Sequence, residues 1–162
     1  EACPLQKTCV AFASGNPEQF PGKKPVKAIP VRKGFMLVLH KPDGSILLEK
    51  RPPSGIWGGL WCLPEYFEEL AQITDWCKTQ YGLIIKKLIE APGFRHTFSH
   101  FHYDISPIHA EVVKEKLAIK EHKPLLWYDL QHPPKIGLAK PIKYILELAK
   151  PEVDIILLKS KD

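Results

Sequence analysis

Nine consecutive residues, Phe94-Arg95-His96-Thr97-Phe98-Ser99-His100-Phe101-His102, carry three phenyl rings, three imidazoles, a guanidinium and two hydroxyls. A buried strand does not tolerate that many donors, and a solvated loop does not keep that many rings. Stacking groups mixed with hydrogen-bonding groups suit a surface that reads a nucleobase by its face and its edge. His96, His100 and His102, spaced four and two apart, are also metal-ligand types, but no acid or cysteine nearby obviously completes a donor set. On the residues alone a plainer reading stands beside these: a hairpin whose Phe98 packs into the core and whose Ser99 caps a turn.

The surrounding pattern says what must hold that run. From Phe101 onward the chain alternates, with Phe101, Tyr103 and Ile105 on one side and His100, His102, Asp104 and Ser106 on the other. Period two predicts a half-exposed strand. Residues 87–97 are also extended in character, so Phe98-Ser99-His100 falls at the turn of a long hairpin. Upstream, Lys41-Pro42-Asp43-Gly44 is turn chemistry between two apolar runs, 34–40 and 46–51, and predicts a second hairpin. Over 66–80 the apolar residues Phe67, Leu70, Ile73, Trp76 and Cys77 recur at helical spacing, Tyr81 continues them, and Gly82 supplies the stop. A strand over 83–91 and another at Leu125–Tyr128 follow. Pro141 opens a last helix with Ile142, Ile145, Leu146 and Ala149 as its buried stripe. Strands, helix, strands, helix make an α+β domain.

The 162 residues, 44% hydrophobic and 25% charged, suffice for one globular domain with a core plus short extensions. No apolar run approaches the roughly 20 residues needed to cross a bilayer, and no signal-peptide pattern opens the chain, so a cytoplasmic setting and no membrane partner are expected. The only methionine is Met36, so the sequence is expected to be a piece of something longer. Residues 1–60 carry nine basic and four acidic side chains against one and four over 61–82, an asymmetry compatible with a phosphate-contacting face or with a lysine-rich solvated one. Residues 10–30, rich in helix breakers, read as a connector. Cys62 and Cys77 sit among apolar neighbours as small core residues. Cys3 and Cys9 bracket a short polar loop and cannot alone complete a four-thiolate metal site. The tail 151–162, with Ile155-Ile156-Leu157-Leu158, has no place in this scheme.

The segment Ser54-Gly55-Ile56-Trp57-Gly58-Gly59-Leu60-Trp61-Cys62-Leu63-Pro64, followed by a helix ending at Gly82, resembles the Nudix hydrolase fold: a mixed β-sheet flanked by helices, here preceded by an extended connector. In that family a glycine-rich loop leads into a helix whose glutamates hold magnesium beside a nucleoside diphosphate. Registered on Gly82, the acidic positions fall near Trp76, Thr79 and Gln80, none of which binds a hard cation as a carboxylate does. After Glu69 the helix offers only Asp75, too little for metal-assisted pyrophosphate hydrolysis.

A second resemblance covers nearly the whole chain. Cys3-Pro4-Leu5-Gln6-Lys7-Thr8-Cys9, the connector Phe20 to Pro25, the run Lys50 to Trp61, the Phe94–His102 run, Leu126-Trp127-Tyr128 and Gly137-Leu138-Ala139 with Pro141 look like the ordered motifs of the C-terminal, Nudix-like domain of the MutY family. Those are adenine DNA glycosylases that remove adenine mispaired with 8-oxoguanine in base excision repair. The resemblance implies that Phe98, Ser99 and His100 are the lesion reader of a double-stranded DNA partner. Lys23, Lys24, Arg51, Arg95 and His96 are candidate contacts to the DNA backbone. It further implies that residues 1–9 end the loop of a 4Fe-4S cluster in the parent protein, with Cys3 and Cys9 as half its ligands; no cluster is expected on this chain alone. Residues 10–30 would be the interdomain connector and 31–150 the recognition domain. Base flipping and catalysis would belong to a separate N-terminal domain. The chain by itself is expected to be non-catalytic and monomeric, with its parent acting in the bacterial cytoplasm at the nucleoid. Two other readings remain open: a hydrolase of oxidised nucleotides, and a protein-interaction module using the connector and the tail.

Overall fold

The computed structural model describes residues 3–20, 22, 28–115 and 124–150. Lys23, Lys24 and the 151–162 tail lie outside the described residues. The expected connector contains one short helix, α1 (Val10–Ala13), and a single 3-10 turn at Pro17–Gln19. Gly15, at φ 76°, follows α1 and Pro17 opens the turn, so neither extends.

Strand β1 (Val31–His40) and β2 (Ile46–Lys50) form the expected antiparallel hairpin. Its turn closes through Lys41 N–H to Ser45 O at 2.9 Å, and the Asp43 carboxylate accepts from the Ser45 amide at 2.8 Å. Short strands β3 (Trp61–Cys62) and β4 (Glu65–Tyr66) pair with β2 and β1. Helix α2 runs Ile73–Tyr81 after a 3-10 turn at Leu70–Gln72, so it starts later than its apolar spacing predicts. The reason is non-local. Tyr66 is drawn into the sheet opposite Phe35, and its hydroxyl donates to the Glu69 carbonyl at 2.8 Å. Those bonds keep residues 65–69 out of the helix. Gly82, in the left-handed region at φ 65°, ends the helix as expected.

Strand β5 (Leu83–Glu90), β6 (Phe94–Thr97) and the long β7 (His102–Glu115) follow, then β8 (Leu125–Tyr128) and helix α3 (Lys140–Leu148). The main path of the mixed sheet is β3-β2-β1-β7-β5, with β4, β6 and β8 attached to β1, β7 and β2. β7 organises it: parallel to β1 from Val31↔His102 to His40↔Glu111, it pairs on its other edge first with β6, then with β5.

Strand alternation sorts the core onto two faces. Met36, Val38, Phe101, Tyr103 and Ile105 pack with Ile142, Ile145 and Leu146 of α3. Leu37, Leu39, Ile108 and Ala110 pack with Ile73, Cys77 and Tyr81 of α2. Each fully buried aliphatic or aromatic side chain there contributes about 1.5–3 kcal/mol. Cys62 and Cys77 are core residues as expected, and burial pushes both thiols up to about 12. Beside α3 the sheet face opens into a groove of about 1130 Å³, lined among others by His40, Pro107, His109, Tyr144 and Leu148.

Candidate functional site

The Phe94–His102 run is a hairpin, with β6 antiparallel to the first residues of β7 and Thr97 opposite His102. Four residues, Phe98 to Phe101, make its tip, which closes through Phe98 N–H to Phe101 O at 2.9 Å. The residues of that tip divide by burial. Phe101 is buried in the core and Phe98 is half-buried against it, with their rings stacked at 4.5 Å and 21°. Ser99 and His100 are exposed. The Ser99 hydroxyl lies 3.3 Å from His100 Nδ1. Two rings therefore anchor the tip, and a hydroxyl and an imidazole stand out from it.

Cross-strand pairing settles the histidines. His96 is opposite Tyr103, on the side of the Trp57 ring, while the neighbouring position puts His102 on the other side, where its Nδ1 is 3.0 Å from Thr97 Oγ1. His100 is at the tip. The three imidazoles do not converge, and the described residues contain no group of three side chains able to hold a metal ion. His96 packs edge-on to Phe98 at 4.7 Å, and burial, with a smaller contribution from Lys140, lowers its pKa.

The cations named as backbone contacts are placed differently. Arg95 is held by Asp104 across the hairpin, Nε to Oδ1 at 2.6 Å and the second pair at 2.9 Å. That fork keeps the Asp104 carboxyl below the usual carboxylate range. Arg51 turns inward. Its guanidinium is 2.6 Å from Glu65 and 3.9 Å from Glu49, two carboxylates whose side chains are 7% and 3% exposed. Tyr103 and Tyr81 donate their hydroxyls to Glu65 and Glu49, each at 2.9 Å. Burial, the adjoining carboxylate and the hydrogen bond raise both phenol pKa values, so both remain donors. Gly34 makes room for this cluster, since a Cβ there would lie 2.6 Å from the Tyr103 hydroxyl oxygen.

Two residues of the site are not singled out by sequence reasoning as part of it. Arg32, at the exposed start of β1, places its guanidinium carbon 4.6 Å from the centroid of Phe101, beside the tip. The pairing that brings it there joins residues 71 positions apart, Arg32 with Tyr103, so no local spacing announces it. Trp57, which the sequence places in the glycine-rich segment, is found beside the tip, its ring centroid 5.5 Å from Phe98, 5.8 Å from His96 and 6.2 Å from Tyr103. Its φ is 55°, a left-handed conformation that costs a bulky residue about 1–3 kcal/mol.

This sheet with one helix on each face, and a glycine-rich loop leading into α2, matches a family model described as NUDIX domain over residues 35–148. The chain belongs to the NUDIX domain family. Among solved structures, the NUDIX-family fold is similar to a MutT NUDIX hydrolase from Burkholderia pseudomallei, with a TM-score of 0.59 at 20% identity over 72% of this chain and 96% of that one. It is also similar to the C-terminal domain of mouse MUTYH, solved with human PCNA, with a TM-score of 0.54 at 16% identity over 72% of this chain and 85% of that one. In sequence it is 34% identical over 148 residues to an adenine DNA glycosylase of Buchnera aphidicola subsp. Schizaphis graminum, covering 91% of this chain and 42% of the relative. The chain thus spans about two-fifths of the length of the curated relatives it matches. Within the NUDIX fold, α2 occupies the place of the family's helix after the glycine-rich loop. Trp76, near one of the positions where the resemblance registered on Gly82 expects an acid, packs edge-on to Tyr66 and Tyr81. Cys3 is exposed and Cys9 half-exposed, both as free thiols at the ends of a turn bonded Gln6 N–H to Cys3 O and Thr8 N–H to Leu5 O.

Proposed function

We propose that this NUDIX-family chain is the 8-oxoguanine-reading domain of an adenine DNA glycosylase, with Ser99 at the lesion. The observation that carries the reading is the hairpin tip, where Ser99 and His100 stand exposed on a base of packed rings. Oxidation of guanine adds a hydrogen at N7 and a carbonyl at C8. A reader needs an acceptor for the first and a donor for the second. A serine hydroxyl with its neighbouring amide offers both. His100 is then placed for the adjoining phosphate or sugar, and Phe98 for contact beside the lesion from its half-buried position. Arg95 and His96 lie on the same hairpin, and Arg32 beside it adds an exposed cation for the backbone.

In this reading the partner is double-stranded DNA carrying 8-oxoguanine opposite adenine, and adenine release belongs to a separate catalytic domain. Cys3 and Cys9 fit such an assembly: both thiols are accessible, and two thiolates are half the donor set of a 4Fe-4S cluster. Such a cluster would fix the two ends of their loop. The test compares binding of wild type and Ser99→Ala to duplexes with 8-oxoguanine or guanine opposite adenine. Wild type is expected to prefer the lesion, and Ser99→Ala to lose most of that preference, a change of about 1–3 kcal/mol. Equal affinity of wild type for the two duplexes overturns the reading.

A further inference from the structure

The loop between β2 and β3 packs against the hairpin tip without belonging to it. It is tightly closed: Gly59 N–H donates to Pro52 O at 3.0 Å, Leu60 N–H to Trp57 O at 3.0 Å, and Arg51 N–H to Leu60 O at 2.9 Å. Gly58 is sterically required, because a Cβ there would sit 2.4 Å from the Pro53 carbonyl oxygen. Within this closed loop a tryptophan occupies a left-handed backbone position that glycine or asparagine adopts at lower cost. Ile56 and Leu60 anchor the loop on the α3-side core, and Trp57 extends from that anchor to the hairpin.

Three contacts define what the indole does. It stacks on Tyr103 at 28°, and it meets both His96 and Phe98 at tilted angles. Tyr103 is itself fixed, because its hydroxyl is bonded to Glu65, which is ion-paired to the side chain of Arg51. The backbone of Arg51 closes the same loop that carries Trp57. The path is therefore a ring: Arg51, loop, Trp57, Tyr103, Glu65 and back to Arg51. Phe98 is the tip residue whose ring meets Trp57, and Ser99 is the next residue along the chain.

We propose that Trp57 is a positioning residue for the hairpin tip: the closed loop holds its indole, the indole holds Phe98, and Phe98 fixes the backbone from which Ser99 and His100 project. Strained backbone positions gather where structure is used for function, and a rigid support is what a single-hydroxyl reader requires. This inference rests on the lesion-reading role of Ser99 for its functional consequence, but not for its structural one.

The experiment uses the full chain and two readouts: hydrogen exchange at the Phe98 amide, and the ratio of affinities for the 8-oxoguanine and guanine duplexes. Trp57→Gly removes the indole while keeping a backbone that adopts φ 55° without strain. It is expected to speed Phe98 exchange and to shrink the affinity ratio, each by about tenfold, with the salt dependence of binding unchanged. Trp57→Phe restores part of both. Where Trp57→Gly does not fold, Trp57→Phe and Tyr103→Phe carry the test, the second because it frees the Tyr103 ring from Glu65 and keeps its stack. The inference is overturned if folded variants hold both readouts within about twofold of wild type, or if affinity falls equally for both duplexes with Phe98 exchange unchanged. Wild type binding both duplexes equally sinks the lesion-reading role alone, and Phe98 exchange still decides whether Trp57 positions the tip.

Discussion

The two ends of the β1–β7 pair lie in one strand register yet are built on opposite plans. At the Val31↔His102 end, histidines stand among rings above a buried ion cluster, and the tip residues Ser99 and His100 face solvent. At the His40↔Glu111 end, His40 and His109 stack on each other with Nε2 and Nδ1 2.9 Å apart, over an open groove. At the second end the imidazoles engage one another, whereas at the first the polar groups of the tip are held out by the structure beneath them. A count of histidines does not separate the ends. What separates them is whether the fold ties the polar group inward or supports it from below.

The strongest way to break this contrast is to remove the support. Arg51→Leu removes the cation paired with Glu49 and Glu65, both nearly enclosed, while the Tyr81 and Tyr103 hydroxyls still donate to them. Removing one partner of a buried ion pair costs about 3–5 kcal/mol, so urea unfolding should show a loss of that size at neutral pH. A loss under about 1 kcal/mol means the cluster is better hydrated than its exposure indicates and does not serve as the pedestal of the tip. Arg51→Leu combined with Glu65→Gln should recover part of the loss, because it removes the uncompensated charge.

The other end offers a pH-dependent contrast of intermediate size. Burial above all, then His109, hold His40 down to about 4, while Glu111 opposes them weakly. The folded pKa is below that of the unfolded chain, so the unfolded state takes up the proton first. His40 therefore costs nothing at neutral pH, and its penalty grows as the pH falls from about 6.5 to about 4. His40→Asn should flatten that part of the acid limb in urea titrations and leave the DNA affinity ratio unchanged. An acid limb identical to wild type would show that the imidazole pair is not a point of weakness.

How much of this was legible in the sequence follows from how local each signal is. The β1–β2 hairpin is written in Pro42-Asp43-Gly44, the α3 stripe in Ile142, Ile145 and Leu146, and the alternation leading into β7 in Phe101, Tyr103 and Ile105; all three stand where their spacing puts them. α2 starts later than its apolar spacing predicts because Tyr66 answers to Phe35, thirty-one positions away, rather than to its helical neighbours. Arg51 reads as a free cation in sequence because Glu65 reaches it only once β3 and β4 have brought the chain back. A sequence hint did exist, since Glu49 and Arg51 at i and i+2 share one side of an extended chain. Trp57 and Arg32 had no such hint. A positive φ at tryptophan is invisible in composition, and a parallel pairing across 71 residues leaves no local period. The tip itself was legible because rings and polar groups alternate within nine residues.

The smallest expected effect on stability is the most informative about the tip. Ser99 is exposed, and among the described residues its hydroxyl makes a 3.3 Å approach to His100 Nδ1 at the tip rather than a buried bond. Ser99→Ala should shift unfolding free energy by less than about 0.5 kcal/mol, as a surface substitution away from caps and buried partners does. A pure structural role for the hairpin, with Ser99 as a turn cap, predicts the reverse: a measurable loss of stability and no change in DNA preference. The two quantities are therefore set against each other at a single oxygen atom. At Arg51 stability should fall through the uncompensated carboxylates, and at Ser99 only the preference for the oxidised base should move. Measuring both on the same pair of variants tests whether the fold has separated the group that reads from the groups that hold it.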